Sequence, residues 1–131
     1  MDSGARHQAR ERALTLLYEA ELKGRRPTEV LEELPVAPDP YAGSLVRTVE
    51  AEQARIDQLI DEAAIGWELA RMAVVDRNVL RLAVAELVDS PDVPTAVILD
   101  EAVELASSYS TDASGRFVNG VLATLAVQLR E

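Results

Sequence analysis

The chain has 131 residues, 48% of them hydrophobic, which suffices for one domain with a continuous core. It contains no cysteine, which excludes disulfides, thiolate metal sites and cysteine nucleophiles, and its net charge of −10, taken alone, argues against a nucleic-acid ligand. No apolar run approaches the roughly 20 residues that span a bilayer, and the N-terminus does not resemble a signal peptide. We therefore expect a soluble, cytoplasmic protein with a single domain, residues 1–131, and no membrane partner.

Apolar residues in the first half recur at helical spacing. A first helix over about residues 6–23 has one apolar stripe, formed by Ala9, Ala13, Leu16, Leu17 and Ala20. Gly24 suits its C-cap, and Pro27 begins a short second helix. The proline-rich segment 35–40 predicts a loop, and a long helix follows over about 41–64.

The second half predicts three more helices and a short helical piece around Trp67. Asp76 is the expected N-cap of the first, 95–109 forms the next, and the last follows the polar segment 110–112. No stretch alternates with the period of a strand. The fold class is therefore all-α, a compact helical bundle of about six to seven helices, organised as two packed three-helix sub-bundles.

Charge is distributed unevenly along the chain. Residues 1–26 contain six basic and four acidic side chains, a balance of +2, so the remaining 105 residues contain 13−6=7 basic and 23−4=19 acidic ones, a balance of −12. A basic end on an acidic body can direct a polyanion to one edge. An acidic protein with an incidentally basic helix start has the same pattern.

The sequence offers no candidate for catalysis. His7 is the single histidine, and no Gly-rich phosphate loop or Glu-x-x-His pair is present. The carboxylate pairs Asp57/Asp61 and Glu101/Glu104 are interpreted as solvated helix faces. We predict no enzyme activity, no catalytic residues, no metal site and no cofactor.

Two segments have the composition of a binding surface. Arg6, His7, Arg10 and Tyr18 lie on one side of the first helix, and arginine forks beside aromatic rings are typical of single-stranded RNA readers. Solvated helices also carry such arginines. At the start of the last helix Arg116 and Phe117 place a cation and a ring at one rim.

Two further residues in the second half depart from the helical pattern. Gly120 inside the last helix suggests a close backbone approach or a bend. Glu86 is an acid on a mostly apolar helix face, which requires either access to solvent or a cationic partner.

Four segments resemble the NusB family, in the same order along the chain. They are the arginine-containing opening at 4–20, the stretch VDRNVLRLAVAEL at 75–87, the stretch VPTAVILDEAVELA at 93–106 and the motif FVNGVL at 117–122. The resemblance covers nearly the whole chain. One departure is Arg6-His7-Gln8, where many members have consecutive arginines, which implies weaker intrinsic affinity for RNA.

The resemblance implies a non-catalytic, all-helical factor that binds single-stranded boxA RNA of ribosomal RNA leaders. It implies NusE, a small-subunit ribosomal protein, as partner, and assembly with other Nus factors and RNA polymerase against termination. By position, the RNA-binding residues would be Arg6, His7, Arg10, Tyr18, Arg116 and Phe117. Glu86 would present an exposed charge to an arginine of NusE. Substituting Arg10 or Glu86 by alanine would then weaken binding and leave the fold intact.

Other interpretations stay open at this point. The chain could be a helical protein-interaction adaptor without direct RNA binding, in which case its basic edge is incidental. Some rRNA cytosine methyltransferases carry a similar N-terminal domain, but the chain leaves no room for a cofactor domain after it. Some members of the family form homodimers, and the sequence does not decide the oligomeric state.

Overall fold

The computed structural model describes residues 3–130, so residues 1, 2 and 131 of the predicted domain lie outside the described residues. Within this range the chain forms seven α-helices and one 3₁₀ turn, Leu69–Arg71, and no β-strand. The all-α class is therefore confirmed. The helices are α1 (Ser3–Lys23), α2 (Pro27–Glu32), α3 (Pro40–Ala51), α4 (Gln53–Ala63), α5 (Val74–Asp89), α6 (Thr95–Tyr109) and α7 (Asp112–Arg130).

The helices pack as two groups of three. Helices α1, α2 and α3 contact one another, as do α5, α6 and α7. Helix α1 also packs along α5 and joins the groups, while α4 rests on α3, α5 and α7. The predicted pair of three-helix sub-bundles is thus confirmed, and one continuous hydrophobic core runs through both. None of the helices in the described range is long and apolar enough to cross a bilayer.

Helix ends follow the local sequence in most places. Gly24 adopts a positive φ of 63° directly after α1, the conformation that suits glycine at a C-cap. Thr111 caps α7, because its Oγ1 accepts a hydrogen bond from the backbone N–H of Ser114 at 3.0 Å. The turn between α5 and α6 is held by Arg130, whose guanidinium donates to four backbone carbonyls, those of Glu86, Leu87, Ser90 and Val93.

Two boundary predictions are wrong. The helix expected over 41–64 is broken at Glu52, whose φ of −112° and ψ of 18° separate α3 from α4. Asp76 is not the N-cap of α5, because the helix begins two residues earlier, at Val74, after an extended Ala73. Asp76 instead lies inside the first turn, where a carboxylate still interacts favourably with the helix dipole.

The close approach expected at Gly120 occurs at Gly115. A Cβ built on Gly120 would meet nothing within 4 Å, so this glycine faces open space. A Cβ on Gly115 would overlap Oγ of Ser107 and would lie 3.4 Å from the carbonyl oxygen of Val103. Gly115 therefore allows the first turns of α7 to lie directly against α6.

Candidate functional site

The centre of the predicted cationic strip is a buried ion pair. The guanidinium of Arg10 donates from Nε to Oε1 of Glu86 at 2.7 Å and from Nη2 to Oε2 at 2.9 Å. Its Nη1 donates to Glu101 at 3.2 Å, and the Tyr41 hydroxyl donates to Glu86 at 2.6 Å. Only 2% of Arg10 and 1% of Glu86 is exposed. The pair joins α1 to α5 inside the molecule.

Burial and neighbouring charges shift the pKa of Arg10 in opposite directions. Burial alone would lower the pKa of Arg10, but the hydrogen bonds and charge of Glu86, together with the charge of Glu101, raise it above its ordinary value. Burial and the hydrogen bond to Glu86 raise the pKa of Tyr41. The phenol therefore stays protonated and remains a hydrogen-bond donor to the pair.

The expectation that Glu86 presents an exposed charge is wrong, and Arg10, which was predicted to contact RNA, is buried as well. Arg10 lies at the edge of the apolar stripe of α1, and Glu86 lies opposite it on α5, so the two residues neutralise each other as the helices pack. Neither can contact an external molecule without leaving a buried partner ionised and unpaired, which is strongly destabilising. Sequence reasoning assigned the two residues to separate external partners and did not predict that they pair with each other.

Arg6 lies one turn before Arg10 and is partly exposed. Its guanidinium carbon is 4.2 Å from the centre of the Tyr41 ring, a cation–π contact, and its Nη2 lies 3.8 Å from the exposed Asp92. Sequence reasoning missed Tyr41, which contacts both arginines and has no signal beyond being an aromatic residue at a helix start. Arg6 is thus oriented on an aromatic face while part of it remains accessible.

His7 faces carboxylates on two helices. Its Nδ1 is 2.7 Å from Oε2 of Glu101, and its Nε2 lies 3.7 Å from Glu11 and 3.9 Å from Glu104. His7, Glu101 and Glu104 bring one potential ligand atom each within 4.8 Å of one another, the closest approach to a metal-binding set in the described part of the chain. The hydrogen bond between His7 and Glu101 explains this arrangement without an ion.

The surroundings of His7 predict pH-dependent stability. The hydrogen bond to Glu101 raises the pKa of His7 above 6.5, against partial burial and with help from the charges of Glu101, Glu104 and Glu11. A raised folded-state pKa means that the stabilisation is fully present below the unfolded value and is lost as pH rises through the folded value. The difference in free energy of unfolding between wild type and His7→Gln should therefore be largest below about pH 6.5 and decrease as the pH rises above that value. Urea titrations over this range test it, and a constant difference would contradict it.

The remaining predicted residues lie apart from this cluster. Tyr18 is 39% exposed on α1, and Arg116 is exposed near the start of α7. Phe117 is half-buried and packs edge-to-face on Trp67, with ring centroids 5.6 Å apart. No hydrogen bond, ion pair or ring contact within residues 3–130 joins the predicted residues of α1 to those of α7. Helix α6, which lies between them in the sequence, contacts α1 through the Tyr109 hydroxyl, which donates to Glu11 at 3.1 Å.

The basic end predicted from the sequence is mostly neutralised by acids. Of its six basic residues, all but Arg12 form ion pairs, with the acids Asp92, Glu86, Glu19, Glu33 and Glu29 among their partners. Glu101 and Asp57, expected on solvated faces, are instead partly buried and paired with arginines. In the described range, the exposed arginines without an ion pair are Arg12, Arg47 and Arg116.

Comparisons with known proteins all point to the same family. The model of the NusB family matches residues 7–127. The transcription antitermination protein NusB of Saccharopolyspora erythraea is 51% identical over 129 residues, which cover 94% of this chain and 87% of the relative. The protein of the same name from Thermobifida fusca is 46% identical over 126 residues, which cover 93% and 89%.

Known structures extend this similarity to the fold. A structure of T. maritima NusB matches with a TM-score of 0.88 and 35% identity, covering 96% of this chain and 93% of the other. A crystal structure of the antitermination factors NusB and NusE in complex with dsRNA matches with a TM-score of 0.82 and 32% identity, covering 97% and 99%.

Proposed function

Since the chain belongs to the NusB family, we propose that it is a cytoplasmic transcription antitermination factor that binds boxA RNA of ribosomal RNA leaders together with NusE. In this role it joins other Nus factors on elongating RNA polymerase and catalyses no reaction. The observation that carries the proposal is its full-length similarity to the NusB that binds NusE and RNA in one crystal structure.

The predicted residues that are at least partly accessible supply the RNA contacts in this proposal. Arg116 and the accessible part of Arg6 neutralise phosphates, and Tyr18 and Phe117 stack on unpaired bases. His7 can add positive charge beside them when protonated. The buried pair of Arg10 and Glu86 fixes α1 against α5 and is left out of both contact surfaces.

Binding to a labelled single-stranded boxA RNA tests the proposal. Arg116→Ala and Tyr18→Ala should each weaken affinity by about tenfold, through loss of a phosphate contact and of a base stack respectively. Arg116→Ala should also reduce the salt slope of the binding constant by about one. Arg47→Ala is the matched control, because it removes another exposed, unpaired arginine, on α3, to which no contact is assigned.

A helical adaptor without direct RNA contact is the second candidate. It is favoured by the neutralisation of all but Arg12 among the basic residues of the basic end. Fluorescence anisotropy with this chain alone, NusE alone and both together separates the two. Retention of RNA by the mixture with no effect of the Arg116 and Tyr18 variants would favour the adaptor.

A further inference from the structure

A cleft of about 340 Å³ opens between the 3₁₀ turn and the first turns of α5 and α7. We call it the Trp67–Phe117 cleft after the two rings on its wall, whose planes meet at 61°. Met72, which is buried, adds apolar surface to the lining. Trp67 remains 58% exposed, although its side chain is large and mostly apolar. The cleft thus offers accessible aromatic surface beside a sheltered interior.

Asp76, one of the residues that line the cleft, has an unsatisfied hydrogen-bond acceptor. Its Oδ2 accepts a hydrogen bond from the Ser114 hydroxyl at 3.1 Å. Its Oδ1 is buried and has no partner, and no other buried side-chain oxygen or nitrogen in residues 3–130 is in that position. Buried polar groups are almost always hydrogen-bonded, because an unmade bond costs the desolvation of the group. Oδ1 of Asp76 therefore lacks a hydrogen-bond donor, and a ligand can supply one.

The chemistry of the lining limits the class of ligand that the cleft can bind. An unpaired carboxylate oxygen repels phosphate and accepts from an N–H or O–H group. Aromatic walls favour a flat, polarisable ring. A nucleobase combines both properties, since it has a π-face for stacking and an amino or imino N–H at its edge. One cation in the lining, the exposed Arg71, suits a phosphate beside such a base.

We propose that the Trp67–Phe117 cleft takes one flipped-out base of the bound RNA and reads its N–H edge through Oδ1 of Asp76. The inference rests on the proposed RNA-binding function and adds to it a residue that holds the flipped-out base. Adenine, cytosine and guanine can donate through an exocyclic amino group, and guanine or uracil can donate through a ring N–H group. An abasic nucleotide has no such donor.

An abasic scan of the RNA, with two readouts, tests the inference. Anisotropy of a 5′-labelled boxA RNA reports affinity, and emission from Trp67, the single tryptophan of the chain, reports occupancy of the cleft. At one position, removing the base should weaken binding by about tenfold and abolish the change in Trp67 emission. In Asp76→Asn, which keeps an acceptor for Ser114, the same removal should cost less than about twofold.

Glu62→Gln is the matched control. It removes one carboxylate charge from an exposed residue of α4 and should keep the wild-type abasic profile. RNA binding with unchanged Trp67 emission and the same profile in Asp76→Asn would overturn the inference and leave the RNA-binding function standing. Absence of any anisotropy change with wild type would overturn both, so the two failures are distinguishable.

Discussion

Glu86→Gln is expected to lower the free energy of unfolding by about 3–5 kcal/mol, because it leaves the Arg10 guanidinium charged and buried without its bidentate partner. Glu101 can compensate only partly, since it contacts a single nitrogen at 3.2 Å. A loss of this size is a large share of the stability of a small domain. Sequence reasoning alone predicts the opposite, an intact fold and a lost partner contact.

Urea denaturation followed by helical circular dichroism measures this effect. Glu104→Gln is the control, because it makes the same chemical change on a side chain that is 62% exposed and should cost less than about 0.5 kcal/mol. The double variant Arg10→Met/Glu86→Leu should recover most of the loss, since apolar residues can replace a buried pair. Equal stabilities of Glu86→Gln and Glu104→Gln would show that the pair is not buried.

Gly115→Val is expected to destabilise the protein by about 2–3 kcal/mol. Rotation of the Ser107 hydroxyl can relieve its overlap with a bare Cβ. The two γ-methyl groups of valine must also clear Val103, which is already 3.4 Å away from that Cβ. Helices α6 and α7 would have to separate where they now touch. Loss of packing would follow along both helices.

Gly120→Val distinguishes this steric effect from helix propensity. Both glycines lie in α7, but a Cβ at Gly120 meets nothing within 4 Å. Valine forms helix slightly better than glycine, so this variant should equal wild type or gain a few tenths of a kcal/mol. Thermal unfolding of the two variants side by side measures the contrast, and a similar melting temperature for both would refute the close-approach explanation.

Much of the fold was predictable because apolar spacing and end signals agree. The stripe of α1, Gly24 after it and the polar segment before α7 each determine one feature independently of tertiary contacts. The break at Glu52 was not predictable, because Val49 and Ile56 keep the i, i+7 spacing of a continuous helix and no glycine or proline interrupts them. Periodicity reports which face is buried and is insensitive to a bend that preserves that face.

The candidate site was predictable in its residue types but not in its pairings. The pair of Arg10 and Glu86 joins positions 76 residues apart, and one sequence cannot reveal which distant charges meet. For the same reason, the sequence could not predict that the Phe117 ring packs against Trp67. The roles of Arg6, His7, Tyr18, Arg116 and Phe117 in RNA contact remain predictions that the binding experiments test.

Most basic side chains form ion pairs within the protein, and this affects how fast it dissociates from RNA. Sequence-independent affinity for nucleic acid grows with the number of phosphates that free cations neutralise. With few exposed arginines unpaired in the described range and an overall charge of −10, this chain should dissociate quickly from unrelated transcripts. A factor present among abundant cellular RNA would then spend little time on wrong sites, at the cost of a slower encounter with the right one.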